Sequence, residues 1–259
     1  SAVLAAHKIA YIKWDHNRVL VDAGHLGVAG VRRQTQAIYR LFAELKKRHP
    51  GLEIESCASG GARIDLGVID YVDRFWTSDN NDALERQTIQ RWTSQVIPPE
   101  MLGTHIGPTH GHQTGRTLEL SMRATTALFG HAGIEWNITQ ATADELKNLA
   151  TWATYYKENR ALLHSGKSVR VDYPDEHGYL YGVVSTDTKK SIFAYVQLTP
   201  TVVIHPAALK FPGLDATTSY SIKAVYPAGK PRFMLITPPQ WMDGITMSGS
   251  ALATIGVSA

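Results

Sequence analysis

Short apolar runs alternate with helical patterns over the first 166 residues. Runs of strand length occupy residues 9–12, 52–55, 74–77, 102–106 and 134–136. Apolar residues recur at helical spacing in residues 33–48, 63–70, 82–94, 118–129 and 143–163. Thr142 stands where the last of these helices needs an N-cap. Five successive βα units with short connections predict a parallel sheet covered by helices.

The pattern changes after residue 166, where helical spacing gives way to short β-rich runs. These runs, separated by Gly, Pro, Asp and Thr, occupy residues 169–171, 180–184, 192–197, 202–204, 220–225, 233–236 and 251–255. Several short strands at this spacing predict an antiparallel sandwich. We therefore predict one domain at residues 1–166 and a second at residues 167–259.

Composition narrows the class of protein without identifying it. The chain has 259 residues, 44% of them hydrophobic, which is enough for one large core or two medium ones. The net charge is +3 with scattered basic residues, so we expect no nucleic-acid partner, and no apolar run has the length of a membrane span. The single cysteine, Cys57, excludes an internal disulfide and predicts a cytoplasmic protein. Because Ser1 opens directly into a helical pattern, we expect a piece of a longer protein.

Polar residues follow the first four predicted strands, at the point where each strand ends. Lys13, Asp15 and Asn17 follow the first strand. The next three strands lead into polar loops at residues 55–63, 76–82 and 105–116. Because the carboxyl ends of parallel strands meet at one rim of a barrel, we expect these side chains to converge there.

Two carboxylates that face each other across a small polar substrate are the groups that glycoside hydrolysis needs. In a retaining enzyme they lie about 5–5.5 Å apart. Asp15 lies beside Lys13, which favours its charged form and suits a nucleophile. Asp79 follows Trp76, and a partly apolar wall would favour a protonated acid. For Asp82, a cap of the following helix is the better interpretation.

Four motifs stand in order along the chain. They are residues 13–18 (Lys-Trp-Asp-His-Asn-Arg), 55–63 (Glu-Ser-Cys-Ala-Ser-Gly-Gly-Ala-Arg), 76–86 (Trp-Thr-Ser-Asp-Asn-Asn-Asp-Ala-Leu-Glu-Arg) and 112–116 (His-Gln-Thr-Gly-Arg). This series resembles that of the α-galactosidases of glycoside hydrolase family 36, the melibiase type. Two departures are visible: His16 stands where many members carry methionine, and Ala58 and Ala62 interrupt a longer glycine run.

The resemblance implies a fold, a reaction and a set of site residues. The fold is a partial (β/α)8 TIM barrel, about strands 4–8, followed by an antiparallel C-terminal β-sandwich. The reaction is the retaining removal of terminal α-linked galactose, with Asp15 as nucleophile and Asp79 as acid/base. The residues expected to bind substrate are Lys13, Trp14, Asn17, Cys57, Ser59, Gly60 and Trp76. The two tryptophans are included because sugars stack on aromatic rings, and no cofactor or metal is implied.

The resemblance also implies partners. The first barrel strands and an N-terminal β-sandwich domain of the parent enzyme are missing from this chain, together with the residues that hold the galactose hydroxyls there. Family members are often homotetramers. The chain is therefore expected to need the missing part for activity.

Several alternatives stay open. The same two carboxylates would serve an α-N-acetylgalactosaminidase or a raffinose/stachyose-type galactosyltransferase. A third hypothesis is that the chain is an inactive fragment or a sugar-binding module. Cys57 is alternatively a small buried core thiol. A metal site at His105, His110 and His112 is disfavoured because their loop carries no carboxylate or cysteine. Three arginines are alternatively members of structural ion pairs: Arg63, Arg86 and Arg116.

Overall fold

The computed structural model describes residues 2–17, 24–201, 203, 205–232 and 237–259. Arg18 and the strand predicted at 233–236 lie outside the described residues, as do both ends of the strand predicted at 202–204.

A parallel sheet of five strands forms the first part of the chain. In the order in which they lie side by side, its strands are β1 (Tyr11–Asp15), β4 (Glu53–Cys57), β5 (Arg74–Trp76), β6 (Leu102–Ile106) and β7 (His131–Ile134). A small hairpin of β2 (Gly24–His25) and β3 (Val28–Ala29) follows β1. All four neighbouring pairs in the larger sheet are parallel, as βα units require.

α-Helices or short 3₁₀ turns connect the strands of this sheet, and further helices precede and follow it. The described α-helices are α1 (Ala2–Ala6), α2 (Val31–Arg48), α3 (Ala83–Thr93), α4 (Leu120–Ala127), α5 (Ala143–Ser165) and α6 (Gly249–Thr254). Short 3₁₀ turns lie at Val68–Asp70, Pro99–Met101, Ile138–Gln140 and Gln240–Asp243. The cap predicted at Thr142 is confirmed: its hydroxyl accepts from the Glu145 N–H, and the Glu145 carboxylate accepts from the Thr142 N–H.

Strand alternation gives the parallel sheet one apolar and one polar face. Ile12 and Trp14 of β1 and Ile54 of β4 pack in the core under the helices. Lys13 and Glu55 lie on the other face and pair with each other. That polar face is the inner face of the partial barrel, and the charged strand ends lie along its carboxyl rim.

The C-terminal part consists of antiparallel sheets. One contains β8 (Lys167–Val171), β9 (Gly178–Val184) and β10 (Ser191–Gln197) in the order β10-β9-β8, and the other pairs β11 (Ser219–Ile222) with β12 (Ile245–Ser248). Side chains of both sheets meet in one core with Leu180 and Leu252 at its centre. The predicted partial barrel followed by an antiparallel sandwich is confirmed.

Three predicted elements are wrong. The helix expected at 63–70 is mostly turn, because the Asp65 carboxylate accepts the Val68 N–H (2.8 Å) and only a short 3₁₀ turn follows. The strand expected at 134–136 runs instead from His131 to Ile134. The strand expected at 251–255 is α6, which Ser248 caps through the Ala251 N–H. Within the described residues no helix has the length and apolarity that crossing a membrane requires.

Candidate active site

Asp15 ends β1 at the carboxyl rim of the sheet, exposed to solvent. The amide of Asn17 holds it from the following loop: its Nδ2 donates to Asp15 Oδ2 (3.3 Å). The Oδ1 of the same amide accepts the Ser59 N–H (2.6 Å), so Asn17 joins the loop after β1 to the loop after β4. Asp15 is therefore fixed by a neighbour that spans two strand ends.

Cys57 is the register partner of Asp15 on the adjacent strand, and it is buried. Burial, with the neighbouring Asp15 carboxylate, raises the pKa of the Cys57 thiol above its usual value. The Arg63 guanidinium donates to the carbonyls of Cys57 (3.1 Å) and Trp14 (3.2 Å), which ties the ends of β1 and β4 together. Cys57 is therefore a buried thiol beside Asp15 whose surroundings disfavour the thiolate.

Lys13 lies one pleat below Asp15 on the same face of β1. Its Nζ is 3.4 Å from Glu55 Oε1 and 4.4 Å from the centre of the Trp76 ring. Glu55 is buried, and its other oxygen accepts the Tyr11 hydroxyl (2.9 Å). These contacts fix the ammonium group inside the barrel, because a buried carboxylate needs a cation or donors close by.

Asp79 lies in the loop between β5 and α3, and its side chain is exposed. The tight turn at Ser59 (φ +46°) and Gly60 (φ +74°) lies against this loop. A side chain on Gly60 would come within 2.5 Å of Ser78 Cα and 2.9 Å of the Asp79 nitrogen. Only glycine permits this approach, so the loops after β4 and β5 are in backbone contact.

Arg86 of α3 and Gln113 of the loop after β6 hold the Asp79 loop. Arg86 donates to Asn80 O (2.7 Å), to Thr77 Oγ1 (3.0 Å) and to Ser78 O. Gln113 Nε2 donates to the carbonyl of Asp79 itself. Burial lowers the pKa of Arg86 to about 10, opposed by the carboxylates Glu135, Asp79 and Glu55.

Asp82 is the N-cap of α3, as predicted. Its Oδ1 accepts the N–H groups of Leu84 (2.8 Å) and Glu85 (3.4 Å), while Oδ2 accepts from Thr114 and from Arg116 (2.8 Å). Burial opposes ionisation, but these donors together hold the pKa of the Asp82 carboxyl below its usual value. Arg116 is thus in a structural ion pair, whereas Arg63 and Arg86 hold backbone carbonyls.

Two predicted substrate contacts need correction. Strand alternation turns Trp14 to the helix side of the sheet, where its ring meets Phe42 edge-on at 5.5 Å. Trp76 is only 2% exposed, because Lys13, Arg86 and His105 cover its ring. The Trp76 ring therefore packs against Lys13, Arg86 and His105 and has no open face on which a sugar could stack. The structure does bring Lys13, Asn17, Cys57, Ser59 and Gly60 to the same rim as the two aspartates.

Sequence reasoning missed the pair His105–Glu135. His105 Nδ1 lies 2.9 Å from Glu135 Oε2, and the His105 ring stacks on Trp76 at 4.4 Å. The hydrogen bond from His105 lowers the pKa of Glu135 below its usual value, with help from Lys13 and Arg86. Glu135 directly follows β7, so the signal available was a carboxylate at a strand end, hidden by the misplaced strand.

In the parts of the chain that the structure describes, no three His, Cys, Asp or Glu side chains lie together as metal ligands would. His110 instead lies 3.3 Å from Thr117 Oγ1, and His105 is engaged with Glu135.

The arrangement defines a class of protein. A partial parallel barrel whose strand ends carry two exposed aspartates, a fixed lysine and a glycine turn has the architecture of a glycoside hydrolase. The chain belongs to the melibiase family, whose model matches residues 1–166, and residues 179–259 match the glycosyl hydrolase family 36 C-terminal domain.

Named relatives agree with this membership. The α-galactosidase of Escherichia coli is 43% identical over 261 residues, covering 98% of this chain and 37% of that protein. The α-galactosidase AgaA of Geobacillus stearothermophilus is 33% identical, covering 87% of this chain and 32% of the relative. Its crystal structure matches with a TM-score of 0.87 at 29% identity, covering 100% of this chain and 34% of the relative. Structures of AgaA variants with raffinose and with stachyose match at TM-scores of 0.86 and 0.85. The chain spans about a third of the length of the curated relatives that it matches.

Proposed function

We propose that the protein containing this chain removes terminal α-linked galactose by a retaining double displacement. Asp15 is the nucleophile and Asp79 the acid/base. The observation that carries the proposal is the unbroken line of contacts from Asp15 through Asn17 and Ser59 to Gly60 and the Asp79 backbone. Membership of the melibiase family, and the structures of a relative with raffinose and stachyose, support the substrate class.

Each carboxylate has a defined part in both steps. In the first, the Asp15 carboxylate bonds to the anomeric carbon, the glycosidic C–O bond breaks, and Asp79 gives its proton to the departing oxygen. In the second, Asp79 takes a proton from water, the water oxygen bonds to the anomeric carbon, and Asp15 leaves as a carboxylate. The Lys13 ammonium, whose side chain is partly exposed, supplies a donor for sugar hydroxyls.

The remainder of the parent protein is the proposed partner of this chain. β1 and β7 are the edges of the described parallel sheet, and an edge strand presents unpaired backbone groups. Further βα units that pair with these edges would close the barrel around the site. This supports a substrate pocket to which the chain contributes both carboxylates and only part of the wall.

The test is turnover of raffinose by the product of the complete reading frame, followed by ¹H NMR. Galactose released first as the α-anomer is the expected result, and initial release of the β-anomer would refute retention. Asp15→Ala is expected to lower kcat on the order of 10⁴-fold, whereas Asp144→Ala, an exposed carboxylate of α5, should leave it unchanged. Normal turnover by Asp15→Ala would refute the nucleophile assignment.

Two further arms of the same assay separate the alternatives. Galactose transferred to a second raffinose would identify a transferase, and faster turnover of an N-acetylgalactosaminide would identify that specificity. Residues 1–259 alone are expected to give no turnover, because the barrel is open; activity of this piece would contradict the proposed partner.

A further inference from the structure

Three consecutive backbone carbonyls around Asp79 accept hydrogen bonds from two side chains. Arg86 reaches the carbonyls immediately before and after Asp79, those of Ser78 and Asn80, and Gln113 reaches the carbonyl of Asp79 itself. A third donor of Arg86 holds Thr77 Oγ1 (3.0 Å). The backbone is thus fixed on both sides of the residue whose carboxyl faces solvent.

Ion pairing does not account for the burial of Arg86. Arg86 is only 2% exposed, and a buried arginine ordinarily has a carboxylate partner. Among the described residues no carboxylate oxygen lies within 4.0 Å of Arg86, whereas Arg116 and Arg123 both have one. Its hydrogen bonds go to the Asp79 loop, and its guanidinium lies 3.9 Å from the centre of the Trp76 ring.

Backbone of the neighbouring loop also contacts the Asp79 loop. Gly60 leaves no space for movement of Ser78 and Asp79 towards the loop after β4. An acid that must reach a departing oxygen depends on placement, and an error of about 1 Å can cost 10²-fold in rate. Because side-chain donors and this backbone contact both fix the main chain, they limit the positions open to a short side chain such as aspartate.

We propose that Arg86, with Gln113, is a positioning residue for Asp79, which it aligns with the oxygen of the departing sugar. The proposal rests on the proposed function, in which Asp79 is the acid/base. Neither residue touches the reacting atoms. Replacing either residue should therefore lower the rate most for substrates whose leaving group must be protonated as it departs.

The test compares raffinose with 2,4-dinitrophenyl α-galactoside in the product of the complete reading frame. The sugar leaving group of raffinose needs a proton, whereas dinitrophenolate departs without one. Arg86→Lys keeps the positive charge but loses the forked set of guanidinium donors, and it is expected to lower kcat/KM for raffinose about 10²-fold. Gln113→Leu, at an exposed position, is expected to lower kcat/KM for raffinose about tenfold. The rate of formation of the galactosyl-enzyme from the dinitrophenyl substrate should fall less than threefold. Arg91→Lys, on the same helix but facing Asp172 and Tyr179, is the control and should change neither.

Equal losses on both substrates, or no loss on raffinose, would overturn the positioning role. If Arg86→Lys fails to fold by circular dichroism, Gln113→Leu decides by the same criterion. Asp79→Asn separates the two proposals: a loss confined to raffinose supports its acid role, and equal rates to wild type refute the proposed function itself. A substrate-dependent loss in Asp79→Asn without one in the Arg86 and Gln113 variants refutes only the positioning role.

Discussion

At the scale of single residues, the site depends on charged groups that are held by neutral hydrogen-bonding groups as much as by opposite charges. Glu55 is 1% exposed, with the Tyr11 hydroxyl on one oxygen and Lys13 at 3.4 Å from the other. Arg86 is equally buried and donates to carbonyls. Such groups are costly to bury, and each is retained next to a residue of the proposed reaction.

The contribution of a single carboxylate to stability can be tested at Asp82, which caps α3 and also forms an ion pair with Arg116. Its pKa in the folded chain is lowered from an unfolded value of about 3.9, so its stabilisation is present above that pH and is lost as the pH falls through the folded pKa. Asp82→Asn should therefore lower the free energy of unfolding by about 1–2 kcal/mol at pH 7. The deficit should be constant between about pH 5 and 7 and shrink below about pH 4.

Urea unfolding of both proteins across this pH range measures the deficit. Asp144→Asn controls for the loss of one negative charge. Asp144 is exposed on the first turn of α5 and forms no ion pair with another described residue. A deficit of the same size at pH 3 and at pH 7 would contradict the role assigned to the Asp82 carboxylate.

At the scale of elements, the loops after β4 and β5 are held together by the backbone approach at Gly60. Gly60→Ala would place a methyl group within 2.5 Å of Ser78 Cα at a φ of +74°. We expect a stability loss of about 1–3 kcal/mol and a separation of the two loops. Since both carry residues of the proposed site, kcat on raffinose should fall at least tenfold.

Gly115→Ala is the matched control for this prediction. Gly115 also has a positive φ (+68°), in a neighbouring loop, but apart from its chain neighbours no described residue has an atom within 4 Å of the place of its missing side chain. It should share the backbone strain without the steric contact. Equal kcat losses in the two variants, measured alongside thermal unfolding, would show that backbone strain and not loop contact is responsible.

Elements were predictable where spacing alone decides them. The long helix α5, its cap at Thr142 and the bounds of β6 follow from apolar spacing and capping chemistry, and they are confirmed. β7 was misplaced because His131 and Gly133 are poor strand signals; Gly133 is needed there because a side chain would meet the His105 ring at 2.7 Å. That requirement comes from a neighbouring strand and is invisible in local sequence.

The site was predictable to a similar depth. The two aspartates, the cap at Asp82 and the glycine turn could be identified from residue type and order. The burial of Trp76 under His105 and Arg86, and the pairing of His105 with Glu135, depend on side chains that only the folded sheet brings together. Alternation alone was sufficient to predict the orientation of Trp14, since Lys13 and Asp15 flank it on the strand.

At the scale of the whole molecule, one of the hydrophobic core clusters contains residues of both the partial barrel and the C-terminal sheets. Trp152 and Leu163 of α5 belong to the same buried cluster as Val183 of β9 and Ala194 of β10. The ring of Phe129, after α4, meets Tyr181 edge-on at 5.0 Å across this boundary. The domain boundary predicted between residues 166 and 167 stays a prediction, because side chains from both sides of it pack in the same cluster.

A shared core should make the two parts unfold together. Val183→Ala removes two methyl groups at a residue that is 1% exposed, which should cost about 2 kcal/mol. If unfolding is cooperative, hydrogen exchange measured by mass spectrometry should quicken by roughly tenfold or more in peptides covering β6 as well as those covering β9. Val96→Ala, an exposed valine, should change neither. Faster exchange confined to β8, β9 and β10 would instead mean that the C-terminal sheets open independently, and that α5 packs against them without transmitting their stability to the strands that carry the proposed site.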